Sequence, residues 1–164
     1  MTLTTHAAIA VALTKPFMHA HPIIIFCIAI ASHYLSDAVP HWDYPLSSIS
    51  AAKNAEGRRW HFHSTHFLKD ARNMACDGIL GLTLVLALAH PTTVREFSWV
   101  LLAVIGGALP DFLQGVYYTR RAELLRPVQH FHDTMHTNIR LGAYPFIGIP
   151  FQGAILVLAL WLVG

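Results

Sequence analysis

The sequence predicts an all-α protein: a polytopic membrane helix bundle of about four or five apolar helices, formed by residues 1–164 as one domain. Three observations carry this expectation. Charged residues are 12% of the chain and apolar residues 54%, against roughly 25% and 45–50% in soluble globular domains. The mean hydropathy is positive, at +0.46. Three apolar segments also reach the length of about 20 residues that a bilayer crossing needs.

Taken in order, residues 3–14 form the first apolar segment and end at Lys15-Pro16. This run is too short to span alone, so it is expected to be half-buried or interfacial. It lacks a preceding basic stretch and a cleavage site, and reads as a retained helix rather than a signal peptide. Residues 22–39 open on Pro22-Ile23-Ile24-Ile25-Phe26 and are marginal in length. A polar loop follows at about 44–70; Ser47 to Asp70 is its longest polar stretch and is expected to be flexible. Residues 72–90 and 97–118 are long enough to cross, the second with Gly106-Gly107-Ala108-Leu109-Pro110-Asp111 inside it. Residues 141–163 carry no charge.

Loop charge supplies an orientation. Lys53, Arg58, Arg59, Lys69 and Arg72 follow the second segment, and Arg120, Arg121, Arg126 and Arg140 follow the fourth. The opposite side has only Lys15 and Arg95. The positive-inside rule then places both large loops and the N-terminus in the cytoplasm, as for an inner-membrane protein. Lys and Arg alone set that topology, yet His6, His33, Asp37, His41, Asp77, Asp111, His132 and His136 all fall toward the same side. Scattered core histidines would not sort in this way.

The richest stretch is Ser32-His33-Tyr34-Leu35-Ser36-Asp37-Ala38-Val39-Pro40-His41-Trp42-Asp43. His33 and Asp37 are four apart and share a helical face. Pro40 ends the helix, and His41 and Asp43 lie just beyond. Ionisable residues in an apolar segment point to a site, and imidazole with carboxylate suits zinc. The ordinary alternative is a His–Asp hydrogen bond that packs two helices.

His132-x3-His136 repeats the spacing, with a solvated histidine pair as its alternative. Asp111 follows Pro110, which frees backbone groups where a helix lines a cavity; a carboxyl bonded to a neighbouring helix is the alternative. Asp77 stands at a helix start, where a carboxylate also complements the dipole. His6 is weak alone. His63, in Trp60-His61-Phe62-His63-Ser64-Thr65-His66-Phe67, reads first as part of an interfacial aromatic segment. His19, His21 and His90 fall on the opposite side. Cys27 and Cys76 form no Cys-x-x-Cys pair and read as small buried hydrophobes. No nucleic-acid footprint is visible, because the basic residues are not interleaved with aromatics on one element.

Thr5-His6 before an apolar run, Ser32-His33-Tyr34-Leu35-Ser36-Asp37, and Gly107-Ala108-Leu109-Pro110-Asp111 together resemble the LexA-regulated, membrane-bound metal-dependent hydrolase family. His33-x3-Asp37-x2-Pro40-His41 is also similar to a motif of the zinc-dependent phospholipase C and single-strand nuclease superfamily. The resemblance implies an all-α fold and His and Asp ligands for a metal that cleaves phosphoesters. Two departures stand out. Leu113 occupies the place of a second aspartate, and the family's His-Arg…Thr-His-Ser element is only loosely echoed, by His132…His136-Thr137 or by His63-Ser64-Thr65-His66.

The functional expectation is a membrane-embedded metal-dependent hydrolase at the cytoplasmic surface, with the lipid bilayer as partner and a phospholipid or other phosphoester as substrate. The expected ligands of one or two zinc ions are His6, His33, Asp37, His41, Asp111, His132 and His136. Asp43 or Asp77 would be the general base. Arg120 and Arg121 could steer a phosphate, although anchoring at the membrane surface explains them as well. The alternative is a non-enzymatic membrane protein that binds or transports a divalent metal or protons, which calls for ligands near the midplane and access from both sides. A haem protein ranks last, because His33 has no evident partner histidine in an apolar segment.

Overall fold

The computed structural model describes residues 1–50, 57–120, 122–139 and 141–164. Lys53, Arg121 and Arg140 lie outside the described residues. Six α-helices follow in order: α1 Leu3–Thr14, α2 Pro22–Asp37, α3 Phe67–Ala89, α4 Val94–Arg120, α5 Arg126–Met135 and α6 Pro145–Val163. Among the described residues the only β-pairing is an isolated antiparallel bridge between Ile49 and Trp60. The all-α bundle is therefore the observed fold. Helices α3, α4 and α6 are each long and apolar enough to cross a membrane.

The short first helix sits at the centre and packs on α2, α3, α4 and α6. Its alanines, Ala7, Ala8, Ala10 and Ala12, favour helix and present little bulk. Thr4, Thr5, His6, Ala8, Ala10 and Val11 are all buried. This corrects the expectation of a half-buried or interfacial segment. A twelve-residue helix reaches only about 18 Å, but with longer helices around it, it does not need to match the bilayer.

Small residues let the helices close on α1. A Cβ on Gly81 would stand 2.7 Å from the Cα of Thr4, and one on Gly107 would stand 2.8 Å from the Cβ of Ala10. Such close approach is how membrane helices associate where no hydrophobic force separates them from lipid. Val11, Val85, Val100, Ala103 and Val163 form the apolar core beyond these contacts.

Helix α2 starts on Pro22 at its first position, with the His21 side chain accepting from the amide of Ile23. It ends at Asp37, three residues before Pro40. Helix α3 begins at Phe67, five residues ahead of the apolar segment read from sequence. The polar Lys69, Asp70 and Arg72 belong to that first stretch of helix. Helix α5 is not an apolar segment; it is the amphipathic helix of the set, with Gln129 and His132 buried and Phe131 half exposed.

Parts of the connection between α2 and α3 are anchored. Ser50 donates its amide to the carbonyl of Arg59 at 2.9 Å, and His61 donates to that of Ser48 at 2.9 Å. Trp60 donates to the carbonyl of Tyr118 on α4 at 3.4 Å. The described residues flanking 51–56 are thus tied to each other and to the bundle, against the expectation of a flexible stretch.

Candidate metal centre

Four helices and one chain reversal bring seven polar side chains to one end of the bundle. His6 comes from α1, His33 and Asp37 from α2, Asp111 from α4 and His132 from α5. His41 follows α2, and His136 caps the C-terminus of α5. Backbone bonds hold the last two segments together: Thr137 donates to the carbonyl of Asp37 at 2.9 Å, and Leu141 donates to that of His41 at 3.1 Å.

Asp37 is the hub and is 1% exposed. Its Oδ2 lies 3.2 Å from Nε2 of His33 and 3.2 Å from Nε2 of His132. Its Oδ1 lies 3.3 Å from Nε2 of His6 and 3.8 Å from Nε2 of His41. Asp111 approaches from the far side, with Oδ1 3.7 Å from Nε2 of His33 and Oδ2 3.9 Å from Nε2 of His6. Two groups could each hold a metal ion: His33, Asp37, Asp111 and His132, and then Asp37, His41 and His136. Asp37 belongs to both.

The outward bonds of the rings decide what faces inward. Nδ1 of His33 is 2.8 Å from the carbonyl oxygen of Gly107, and Nδ1 of His41 is 2.7 Å from that of Val39. A carbonyl only accepts, so each Nδ1 carries a proton and each Nε2 is turned toward Asp37. His6 follows by one further step. The Ser36 hydroxyl donates to the carbonyl of His33 at 2.8 Å, so it accepts from Nδ1 of His6 at 3.0 Å. His136 faces the carbonyl of Thr137 through Nδ1 at 3.2 Å. Burial also holds its imidazole below the usual range, favouring the neutral form.

Several ring nitrogens therefore converge on one carboxylate. Among the described residues, Nε2 of His6 and Nε2 of His33 are buried with no hydrogen-bond partner. An unmet buried acceptor costs about 1–3 kcal/mol. Charging both rings is a poor remedy, since His6 and His33 stack with centroids 4.0 Å apart and two imidazoliums would repel. A cation satisfies all of these groups at once. Outer bonds of this kind are also what orients metal-binding histidines. The stacked pair corrects one expectation: His6 is the partner that His33 was read as lacking. Rings that close leave no room for a porphyrin between them.

His132 is oriented by Gln114, whose amide is 3.4 Å from Nδ1 of the ring. The amide nitrogen donates to Nδ1, so Nε2 of His132 carries the proton and donates to Oδ2 of Asp37 at 3.2 Å. Gln114 and Ser36 are orienting residues that the sequence reading missed. Ser36 lies inside the singled-out motif, so its spacing from His33 was the available signal.

The structure separates the two general-base candidates. Asp43 lies beside the cluster, with Oδ2 3.2 Å from Nε2 of His41 and a side chain 48% exposed. The amino group of Met1 is 3.0 Å from both Asp43 and Asp37. Asp77 is occupied elsewhere, which corrects its expected role. Its carboxylate takes the amides of Leu3 at 2.7 Å and Thr4 at 3.2 Å, and the hydroxyl of Thr4 at 2.6 Å. It caps α1, satisfying N-terminal amides that the helix itself leaves open. Tyr44 adds a bond to it at 3.4 Å; burial and the Asp77 charge keep that phenol protonated by raising it above its usual range.

A cavity of about 690 Å³ opens on the cluster. Asp37, Asp43, Asp111, His132 and His136 line it. Arg120, expected to steer a phosphate, is exposed at the end of α4 and does not line the cavity, and Arg121 lies outside the described residues. His63 is exposed and away from both groups. His21 caps α2 at the opposite end of the bundle, and His90 ends α3 in a left-handed conformation with φ of 43°.

No family model, curated protein or solved structure matches this chain.

Proposed function

We propose that this chain is a membrane-embedded metal-dependent hydrolase. It acts on a phosphoester, a phospholipid among the candidates, at the cytoplasmic face of the inner membrane. The observation that carries the reading is the convergence of histidine Nε2 atoms on Asp37, with a cavity opening on the same residues. Charge asymmetry of the loops supports the sidedness. The resemblance of the His33–Asp37 and Pro110-Asp111 motifs to metal-dependent hydrolases supports the class.

His33, Asp37, Asp111 and His132 would hold one zinc ion, and Asp37, His41 and His136 a second, Asp37 being common to both groups. His6 backs the first group through its contact with Asp37. When bound, such ions lower the pKa of a water to about 7 and polarise a phosphoryl oxygen. The chain's own residues do the rest. Buried histidines locked by carbonyls hold fixed positions and need little reorganisation. Asp43, half exposed beside the cluster, accepts the proton of the attacking water. Asp111, 31% exposed, faces both the buried histidines and the cavity.

A transport reading fits less well. Beyond the cluster, α1 and α4 close on Ala8, Val11, Val100 and Ala103, which are each 0% exposed. That packing offers no ligand to an ion passing through.

The test is hydrolysis of bis-p-nitrophenyl phosphate and of phospholipid in mixed micelles, using zinc-loaded protein beside the His33→Ala/Asp37→Ala double variant. Turnover in the parent that is lost in the variant supports the reading. A metal-loaded parent that turns over neither substrate contradicts it.

A further inference from the structure

The cavity beside the cluster carries a strong charge imbalance. Asp37, Asp43, Asp111 and Asp133 line it, and Arg58 is the one Lys or Arg among the described lining residues. The amino group of Met1 is the other cation there, and it is already 3.0 Å from both Asp37 and Asp43. A phosphoester anion entering this space meets carboxylates first. Two metal ions would offset those at the cluster. Arg58 brings a permanent charge from a different part of the chain.

The segment that carries Arg58 is held from two sides. Asp70 on α3 is 1% exposed. Its Oδ2 accepts from the amide of Ser48 at 2.7 Å and from the hydroxyl of Ser48 at 2.6 Å. The indole of Trp60 donates to the same Ser48 oxygen at 3.0 Å. On α4, a Cβ at Gly115 would stand 3.0 Å from the Trp60 ring, so the indole lies against bare backbone. Arg58, two residues before Trp60, donates through Nη1 to the Tyr118 hydroxyl at 3.4 Å. Asp70 therefore has a use that the metal cluster does not require: it fixes the strand-like pair that delivers Arg58.

We propose that Arg58 recognises the anionic phosphoryl group of the substrate in the cavity that opens on the metal cluster. The inference rests on the phosphoester reading above. A guanidinium presents parallel N–H donors that match two phosphoryl oxygens and stays charged at any working pH. Leu46, Ile49 and Trp60 line the same cavity and suit the organic part of an ester. The shared chemistry is a phosphate ester oxyanion, which a soluble ester or a lipid headgroup could supply.

The experiment titrates zinc-loaded protein in non-ionic detergent with inorganic phosphate and, in a second arm, with micelles carrying phosphatidic acid. Parent, Arg58→Gln and Arg58→Lys are compared, with metal content measured in each. Arg58→Gln is expected to keep its metal and bind about tenfold or more weakly, the usual consequence of losing a charged hydrogen bond. Arg58→Lys is expected to fall between, because a point charge replaces a fork. Binding in the phosphate arm assigns a soluble source, and binding in the micelle arm alone assigns a lipid; either supports the proposal when Arg58→Gln weakens it. Equal binding by metal-loaded parent and Arg58→Gln overturns it, as does a metal-loaded parent that binds neither probe. Should Arg58→Gln lose its metal, metal-loaded Arg58→Lys decides: weaker binding supports the proposal and unchanged binding overturns it. A parent that takes up no metal defeats the metal reading itself, and this inference with it.

Discussion

At the end of the bundle where α1 stops, the Thr14 hydroxyl donates to the carbonyl of Ala10 at 2.7 Å and accepts from the Trp99 indole at 2.9 Å. Lys15 there donates to the carbonyl of Val163 at 2.8 Å, closing the open end of α6. At the end where α1 begins, His6 and His33 turn bare nitrogens toward Asp37. The chain is the same and the burial is similar, but every one of these polar groups is paired at one end, while at the other the Nε2 atoms of His6 and His33 have no hydrogen-bond partner. Structural polar groups in a helix bundle are satisfied within the protein. Nε2 of His6 and of His33 are not, and the outer nitrogens of the two rings are held by Ser36 and Gly107 so that they stay turned inward. The contrast separates polar residues that serve packing from polar residues arranged for a ligand.

The sharpest way to break the contrast is Asp37→Ala. It removes the carboxylate common to both groups and is expected to abolish metal uptake, read by elemental analysis. Chelation should lower the unfolding temperature of the parent, because a ligand that binds only the folded state stabilises it. The variant should show no such response. A chelator effect of equal size in Asp37→Ala would mean that the ion sits elsewhere.

A smaller effect is expected from Gln114→Leu. The residue touches no ion in this account and only orients His132, and loss of such an outer partner costs about 10–100-fold in metal affinity. Competition with a chromophoric chelator measures it. Affinity equal to the parent's would show that His132 is held by its other contacts.

The smallest effect belongs to the satisfied end. Trp99→Phe removes the donor to Thr14 and should cost about 1 kcal/mol or somewhat more of stability, read in a denaturation series. Metal content and affinity should not move. Loss of metal in Trp99→Phe would couple the two ends and erase the contrast.

Much of this was legible from local spacing. The i, i+4 pair His33–Asp37 and the stop before Pro40 follow from helix geometry alone, and the carboxylate after Pro110 marked α4. Long-range partners were not legible. Asp77 looked like a second base because a carboxylate at a helix start is visible in sequence, whereas the α1 amides it caps are more than 70 positions away. Arg120 and Arg58 sit in equally basic stretches, and only the Asp70–Ser48–Trp60 contacts tell them apart. The central place of α1 was hidden because its length argues for the interface, while its small alanines argue for close packing.

The most direct test of the central claim is the number of divalent ions per chain in detergent-purified, zinc-saturated protein, compared with His132→Ala and His41→Ala. Two ions in the parent and one in each variant are the outcome expected of two groups that share Asp37. A parent that binds none after saturation would contradict it, and the residues around Asp37 would then be packing contacts like those at Thr14.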